Sequence, residues 1–139
     1  MILDFGFWIL DFRSRINTKG KTVNEHQMKK RTKNFAKEII LLCRKLPNNR
    51  EGNLIGNQIF RSGTSVAANY RSACRAKSKP DFIAKLSIVE EEADETLFWL
   101  ELIKEMEILQ MPEIDALMKE NDEIISIIVS SIKTARKNK

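Results

Sequence analysis

Apolar residues recur at intervals of three and four positions along four stretches of the chain, which is the spacing of amphipathic helices. The first stretch covers residues 24–46 and the second covers 53–76. The third begins near residue 78 and ends before the break at 110–113, and the fourth covers 113–134. Because short polar turns join these stretches, the pattern predicts an all-α protein, an antiparallel up-down-up-down four-helix bundle. The bundle domain is expected over residues 23–139.

Several residues are suited to begin or separate these helices. Thr22 and Glu25 have the spacing of a capping box, which places the start of the first helix between them. Ser78 is a favourable N-cap for the third helix, and Pro80 fits its first turn. The polar stretch 47–52 contains proline, asparagine and glycine, so we expect a turn between the first and second helices.

The apolar positions also predict how the helices pack. The third helix has one continuous bundle seam, formed by Phe82, Leu86, Val89, Ala93, Leu97, Leu100 and Ile103. A second apolar set lies off that seam and consists of Ile83, Ile88, Phe98, Trp99 and Leu102. A helix with two apolar faces needs two partners, and in a chain of this size we expect the second to be another subunit. The second helix has apolar residues at Leu54, Ile55, Ile59, Val66 and Tyr70, and its many small residues predict close helix contact.

Residues 1–22 are expected to form a flexible N-terminal extension. The tetrapeptide at residues 2–5 returns at 9–12, but two copies are too few for a coiled-coil seam. An arm that docks on a neighbouring molecule is the alternative interpretation.

Asp4 and Asp11 interrupt the apolar start, so a secretory signal peptide is not expected. No apolar run approaches the twenty or so residues that a membrane span requires.

Charge adds a further feature to this picture. The 139 residues suit one domain, with 24 basic and 19 acidic side chains, a net charge of +5 and a pI near 9.3. Residues 53–79 contain five basic side chains and no acidic one, whereas residues 81–107 contain nine acidic side chains and two lysines. This charge distribution predicts a helical hairpin with one basic and one acidic arm. The net charge permits an anionic partner.

The residues that carry metal or redox chemistry are sparse. Cys43 and Cys74 lie 31 positions apart without a CxxC motif, so we predict reduced cysteines in a cytoplasmic protein. Glu91 and Glu95 share a helix face, but a di-iron bundle needs Glu-x-x-His pairs and the chain has one histidine. We therefore predict no metal site and no cofactor.

The single histidine is the remaining candidate for catalysis. RNA-cleaving helical bundles of the HEPN type carry an arginine a few residues before a histidine on one helix. No arginine precedes His26 in its predicted helix. The sequence therefore assigns no catalytic residue, and we predict that the protein is not an enzyme.

Two sequence segments resemble a known family. Residues 58–71 read QIFRSGTSVAANYR, and residues 90–96 with 99–102 read EEEADET and WLEL. Together they resemble the signature of the 23S rRNA-intervening-sequence proteins, over roughly residues 28–136. The resemblance implies a bacterial, cytoplasmic four-helix bundle that assembles as a homopentamer with a central pore. A related branch contains the accessory proteins of diversity-generating retroelements, which are basic pentamers that bind nucleic acid and associate with a reverse transcriptase.

Three functional hypotheses follow from the residues and from this resemblance. The first is a non-enzymatic oligomer, a homopentamer by the resemblance, that binds RNA or DNA without sequence specificity, with phosphates held by Lys29, Lys30, Arg31, Lys33, Arg71, Arg75, Lys77 and Lys79. In that hypothesis a structural or interface role falls to Arg61, Glu91, Glu95, Phe98 and Trp99. The competing interpretation of the arginines pairs Arg61 and Arg71 with acids of the third helix.

The second hypothesis is a protein-interaction scaffold or accessory subunit, for example of a reverse transcriptase, that does not bind nucleic acid. The third, an RNA-processing enzyme, has no catalytic motif to support it.

Overall fold

The computed structural model describes residues 17–18, 21–22 and 24–138, and the four-helix prediction is confirmed. The helices are α1 (Glu25–Lys45), α2 (Arg50–Ala73), α3 (Lys79–Glu105) and α4 (Pro112–Lys137). Two short strands precede them, β1 (Asn17–Thr18) and β2 (Lys21–Thr22), which pair antiparallel and contact α4 through β1. The repeat at residues 2–12, and most of the predicted extension, lie outside the described residues.

Each helix packs against the next one, and α4 returns to contact α1. The ion pair between Lys104 Nζ and Asp115 Oδ1, at 2.6 Å, joins the end of α3 to the start of α4. At the other end of the same helix pair, Lys79 and Arg136 line one groove. The start of α3 therefore lies beside the end of α4, as an antiparallel pair requires.

The helix caps correct one predicted boundary and confirm another. The N-cap of α1 is Asn24 and not Thr22, because Asn24 Oδ1 accepts a hydrogen bond from the Gln27 backbone N–H at 2.8 Å. Gln27 Oε1 accepts in return from the Asn24 N–H at 3.1 Å, which completes the capping box. Ser78 is the N-cap of α3 as predicted, and its Oγ accepts from the Asp81 N–H at 3.2 Å.

The turn before α2 is shorter than predicted. The helix begins at Arg50 rather than residue 53, because Asn49 Oδ1 accepts from the Gly52 N–H at 2.8 Å and caps it. A Cβ atom on Gly52 would lie 1.9 Å from the Pro47 carbonyl oxygen. Only glycine therefore fits this position, and it permits the first turn of the helix to pack against the proline carbonyl. The helix ends at Ala73 instead of 76.

The predicted seam of α3 is buried with one exception. Leu97 is only partly buried, and Thr96 takes its place in the core with an exposed fraction of 0%. Thr96 Oγ1 lies 2.9 Å from Ser62 Oγ of α2, within hydrogen-bonding distance. The placement of Leu54 on the buried face of α2 is wrong, since that side chain is 61% exposed.

A second polar group in the core joins α3 to α4. Asn121 is fully buried, and its Nδ2 donates a hydrogen bond to the Ala93 carbonyl oxygen at 2.8 Å. Asn121 Oδ1 is the one buried side-chain polar atom in the described part of the chain that lacks a hydrogen-bond partner. A buried carbonyl without a partner reduces stability, so this amide is a costly element of the core.

The prediction of close helix contact along α2 is confirmed at Gly63. This residue is buried, and a Cβ atom built on it would lie 2.8 Å from both Cγ1 and Cγ2 of Ile39. The backbone of α2 therefore approaches α1 more closely than any side chain on residue 63 would allow.

Candidate functional site

A cleft of about 540 Å³ lies between the first half of α1 and the second half of α2. Its lining includes the small side chains of Ala67 and Ala68. The rest of the lining consists of one histidine and five cationic side chains, namely His26, Lys29, Lys30, Lys33, Arg71 and Arg75. Five of the eight residues predicted to bind phosphate therefore meet in one place.

The helical turn explains why these residues converge. An α-helix rotates by about 100° per residue, so His26, Lys29, Lys30 and Lys33 fall within an arc of about 100° on α1. The same spacing places Ala67 and Arg71 on one face of α2, and Arg75 follows in the turn just after the helix. Because α1 and α2 are antiparallel, the start of one helix faces the end of the other, and the two basic faces line the same cleft.

Most of the cleft cations have no acidic partner among the residues that the structure describes. Lys29 Nζ lies 3.0 Å from Glu25 Oε1, one turn earlier on α1. Within residues 24–138, no carboxylate forms an ion pair with Lys30, Lys33, Arg71 or Arg75, all of which are exposed. Neighbouring cations repel one another, and a bound anion relieves that repulsion. The cleft is therefore suited to a polyanion.

Arg31 belongs to the same basic run but lies elsewhere. It is rotated by about 160° from Lys33 and faces α4. Its Nε donates to Glu120 Oε2 at 2.8 Å, and its Nη2 pairs with both Glu120 and Glu123. The hydrogen bond to Glu120 is the largest cause of a raised pKa for Arg31. This guanidinium joins α1 to α4, and the structure does not bring it to the cleft.

Lys77 and Lys79 also lie outside the cleft. Lys77 is exposed in the connection between α2 and α3, where its backbone N–H donates to Asp81 Oδ2 at 3.1 Å. Lys79 lines a second groove, of about 620 Å³, between α3 and α4. The other cation in that groove is Arg136, in the last turn of α4.

Two residues of these sites were missed by the sequence reasoning. His26 lines the cleft, although the sequence presented it only as a rejected catalytic candidate. The spacing of three residues from His26 to Lys29 and of four from Lys29 to Lys33 places the three side chains on one helix face, and this spacing could have assigned His26 to the cleft. Arg136 meets Lys79 only because α3 and α4 are antiparallel, so its position follows from the topology and not from a local motif.

The predicted pairing of Arg61 with acids of α3 is confirmed, but the partners differ in part. Arg61 Nη1 lies 3.0 Å from Glu92 Oε2, and Nη2 pairs with Glu95. The charge of Glu92 is the largest cause of a raised pKa for Arg61. Glu91 is exposed and is not a partner of Arg61. Arg71, for which the same pairing was the alternative, lies in the cleft.

An aromatic pair stands next to this ion-pair network on α3. The rings of Phe98 and Trp99 have centroids 4.9 Å apart and meet edge to face at 72°. Trp99 Nε1 donates to Glu95 Oε2 at 3.3 Å. Phe98 is 50% exposed and Ile88 is 40% exposed, whereas Ile83, Trp99 and Leu102 are partly buried. Part of the second apolar face of α3 is therefore open to solvent in the single chain.

The cysteines are not placed for nucleophilic chemistry. Burial raises the pKa of the Cys74 thiol to about 12, and burial also raises the pKa of Cys43. Among the residues that the structure describes, no three His, Cys, Asp or Glu side chains are grouped to hold a metal ion. None of the four helices is long and apolar enough to cross a membrane.

Comparison with known proteins agrees with the sequence resemblance. A crystal structure of a protein of unknown function from the S23 ribosomal protein family, from Bacteroides thetaiotaomicron, is similar to this chain with a TM-score of 0.73 and 37% sequence identity. The match covers 78% of this chain and 97% of that chain. No curated protein matches this chain. The sequence profile described as "23S rRNA-intervening sequence protein" matches residues 24–130. The chain therefore belongs to the 23S rRNA-intervening sequence protein family.

Proposed function

We propose that this protein is a non-enzymatic, oligomeric four-helix bundle that binds RNA or DNA through the cleft between α1 and α2. The observation that carries the proposal is the group of cations in that cleft, because four of them have no carboxylate partner within residues 24–138. Cations clustered without acids attract phosphate and release the counterions that surround it.

The composition of the cleft supports binding without sequence preference. The small side chains of Ala67 and Ala68 in the lining let a sugar–phosphate backbone approach the helices. No Phe, Tyr or Trp lines the cleft, and base stacking needs such a surface. Tyr70, which is close in sequence, is only 3% exposed. Contacts to phosphate alone carry no sequence information.

The oligomeric part of the proposal rests on the exposed apolar side chains of α3. Phe98 and Ile88 are exposed in the single chain, and burial of such side chains against a second subunit stabilises association. The family resemblance supports a homopentamer in the cytoplasm. A pentamer would repeat the cleft five times and multiply the number of phosphates that one assembly contacts.

A second candidate function is a protein-interaction scaffold, such as an accessory subunit of a reverse transcriptase, without direct contact to nucleic acid. The observation that favours it is the exposure of Leu54 at 61% and Phe60 at 45% on α2. Exposed apolar side chains on a helix that also contributes to the cleft are suited to a protein partner.

A salt series with two matched variants tests the proposal. Arg71→Gln/Arg75→Gln removes two charges from the cleft, and Arg44→Gln/Lys45→Gln removes two exposed charges at the opposite end of α1. We expect only the cleft variant to weaken binding of labelled single-stranded RNA. The slope of log K against log salt should become shallower by about 0.7 for each phosphate that the variant no longer neutralises.

Each other outcome of this experiment has a definite meaning. Absence of binding by the unmodified protein at about 50 mM salt would reject the proposal and favour the scaffold. Equal weakening by both variants would reject the cleft as the site. Cleavage of the labelled RNA during long incubation would show an enzyme and would contradict the non-enzymatic part of the proposal.

A further inference from the structure

We propose that the ligand of the cleft is a single strand of nucleic acid whose backbone continues across the end of the bundle into the groove lined by Lys79 and Arg136. This inference rests on the proposed function, and it adds a second binding site and a strand type to it. Arg136 was not among the residues that the sequence assigned to phosphate binding.

The cleft and the groove lie at the same end of the molecule. The cleft is formed by the start of α1 and the end of α2, and the groove is formed by the start of α3 and the end of α4. The connection between α2 and α3 passes between the two sites and carries the exposed Lys77. A backbone that leaves the cleft therefore passes the cation Lys77 on the way to the groove.

In the antiparallel fold, basic side chains are concentrated at one end of the bundle and acidic side chains at the other. The half with the cleft and the groove consists of residues 24–35, 64–91 and 125–138, and it contains twelve basic and four acidic side chains, a net charge of +8. The other half consists of residues 36–63 and 92–124, and it contains seven basic and thirteen acidic side chains, a net charge of −6. A polyanion is attracted to the first half and repelled by the second.

The width of the cleft favours one strand over a duplex. The cleft lies between two adjacent helices, whose axes are separated by about 8–10 Å in packed bundles. The major groove of B-form DNA alone is about 12 Å wide, so a whole double helix cannot enter such a cleft. One sugar–phosphate backbone can enter, and it can bend at the end of the bundle where a stiff duplex cannot.

The distance between the two sites sets a minimum length for the strand. The cleft and the groove are on opposite sides of a bundle two helices thick, which is about 20 Å. At about 3.4 Å per nucleotide along a stacked strand, this distance corresponds to about six nucleotides. A shorter strand can occupy the cleft but cannot reach the groove.

Oligonucleotide length therefore separates the two sites experimentally. The groove variant is Lys79→Gln/Arg136→Gln, with Arg136→Gln alone as a second variant because Arg136 is exposed. Arg44→Gln/Lys45→Gln is the charge-matched control at the other end. Binding of four-nucleotide and sixteen-nucleotide oligothymidylates is measured over a salt series by fluorescence anisotropy, and circular dichroism confirms that each variant is folded.

We expect the groove variant to lose affinity for the sixteen-nucleotide strand, with a salt slope shallower by about 1.4 for two phosphate contacts. Its affinity for the four-nucleotide strand should stay unchanged, and Arg136→Gln alone should produce about half of the change in slope. A sixteen-base-pair duplex should bind more weakly than the single strand.

The failure of this inference is distinguishable from the failure of the proposed function. If the groove variants behave like the control while Arg71→Gln/Arg75→Gln weakens binding, the groove is not part of the site, although the cleft still is. If the duplex binds as tightly as the single strand, the assignment of strand type is wrong. If no variant changes binding, both proposals fall.

Discussion

Gly63→Ala tests the close approach of α2 to α1. An alanine Cβ at this position would lie 2.8 Å from Cγ1 and Cγ2 of Ile39 and 3.1 Å from its Cβ. These atoms cannot move away easily, because Ile39 is fully buried and a β-branched side chain in a helix is held in one χ1 rotamer. The added methyl group must therefore push the two helices apart or strain the core.

The expected magnitude is the difference between two opposing effects. Alanine is favoured over glycine inside a helix by about 1 kcal/mol. An extra methyl group in a packed core costs about 1–3 kcal/mol, and the contact with a rigid side chain places this case in the middle of that range. We expect Gly63→Ala to lower the free energy of unfolding by about 1 kcal/mol.

Gly56→Ala is the matched control on the same helix. Its Cβ would lie 3.3 Å from Leu46 Cδ1, which is the end of a flexible and only partly buried side chain. The clash is small there, so the helix preference should prevail and raise the free energy of unfolding by about 0.5–1 kcal/mol.

Urea unfolding followed by circular dichroism measures both variants at one fixed protein concentration, because association would shift the midpoint. A third measurement isolates the contact: in an Ile39→Ala background, Gly63→Ala should become stabilising, since Cγ1 and Cγ2 of residue 39, the two atoms at 2.8 Å, are gone. If Gly63→Ala stabilises the unmodified protein as much as Gly56→Ala does, the close packing against Ile39 does not limit the size of residue 63.

Two further predictions concern titratable groups. The hydrogen bond from the Lys77 backbone N–H is the largest cause of a lowered pKa for Asp81. The stabilisation from this carboxylate is therefore complete above its ordinary pKa of 3.8 and is lost as the pH falls through the lowered value. Asp81→Asn should lower the thermal midpoint at pH 7, and the difference from the unmodified protein should vanish in strong acid; a difference that stays constant down to about pH 2 would contradict this. Because burial raises the pKa of Cys74 to about 12, its thiol should react with a disulfide reagent at about pH 8 only when the protein unfolds, whereas the half-buried Cys43 should react sooner. Mass mapping of the modified peptides distinguishes the two, and early modification of Cys74 would show that its region opens in the native state.

The fold was predictable because helical periodicity is a local property. The seam of α3 follows directly from spacings of three and four, and only Leu97 was misplaced. Boundaries were harder where two candidate caps stand close together. Thr22 and Asn24 are both suited to cap α1, and the hydrogen bond to Gln27 decides between them. The spacing of residues does not show which of the two hydrogen bonds forms.

The site was predictable only in part, because it is formed by residues from helices that meet only in the folded bundle. The sequence shows two basic groups, at 29–33 and 71–79, but not that α1 and α2 bring their ends together. Helical rotation separates Arg31 from its neighbours, and its acidic partners Glu120 and Glu123 are about ninety residues away in the chain. Contacts across such separations depend on helix order and alignment, which no local pattern contains.

The buried amide of Asn121 has a consequence at the surface. Its Nδ2 reaches the Ala93 carbonyl because alanine leaves that part of α3 uncovered. One helical turn away in either direction stand Val89 and Leu97, whose larger side chains would obstruct the amide. Sliding α4 by one turn, about 5.4 Å, would break this hydrogen bond and also carry Arg136 one turn away from Lys79. A costly polar group in the interior thus helps to set the distance between Lys79 and Arg136 at the surface.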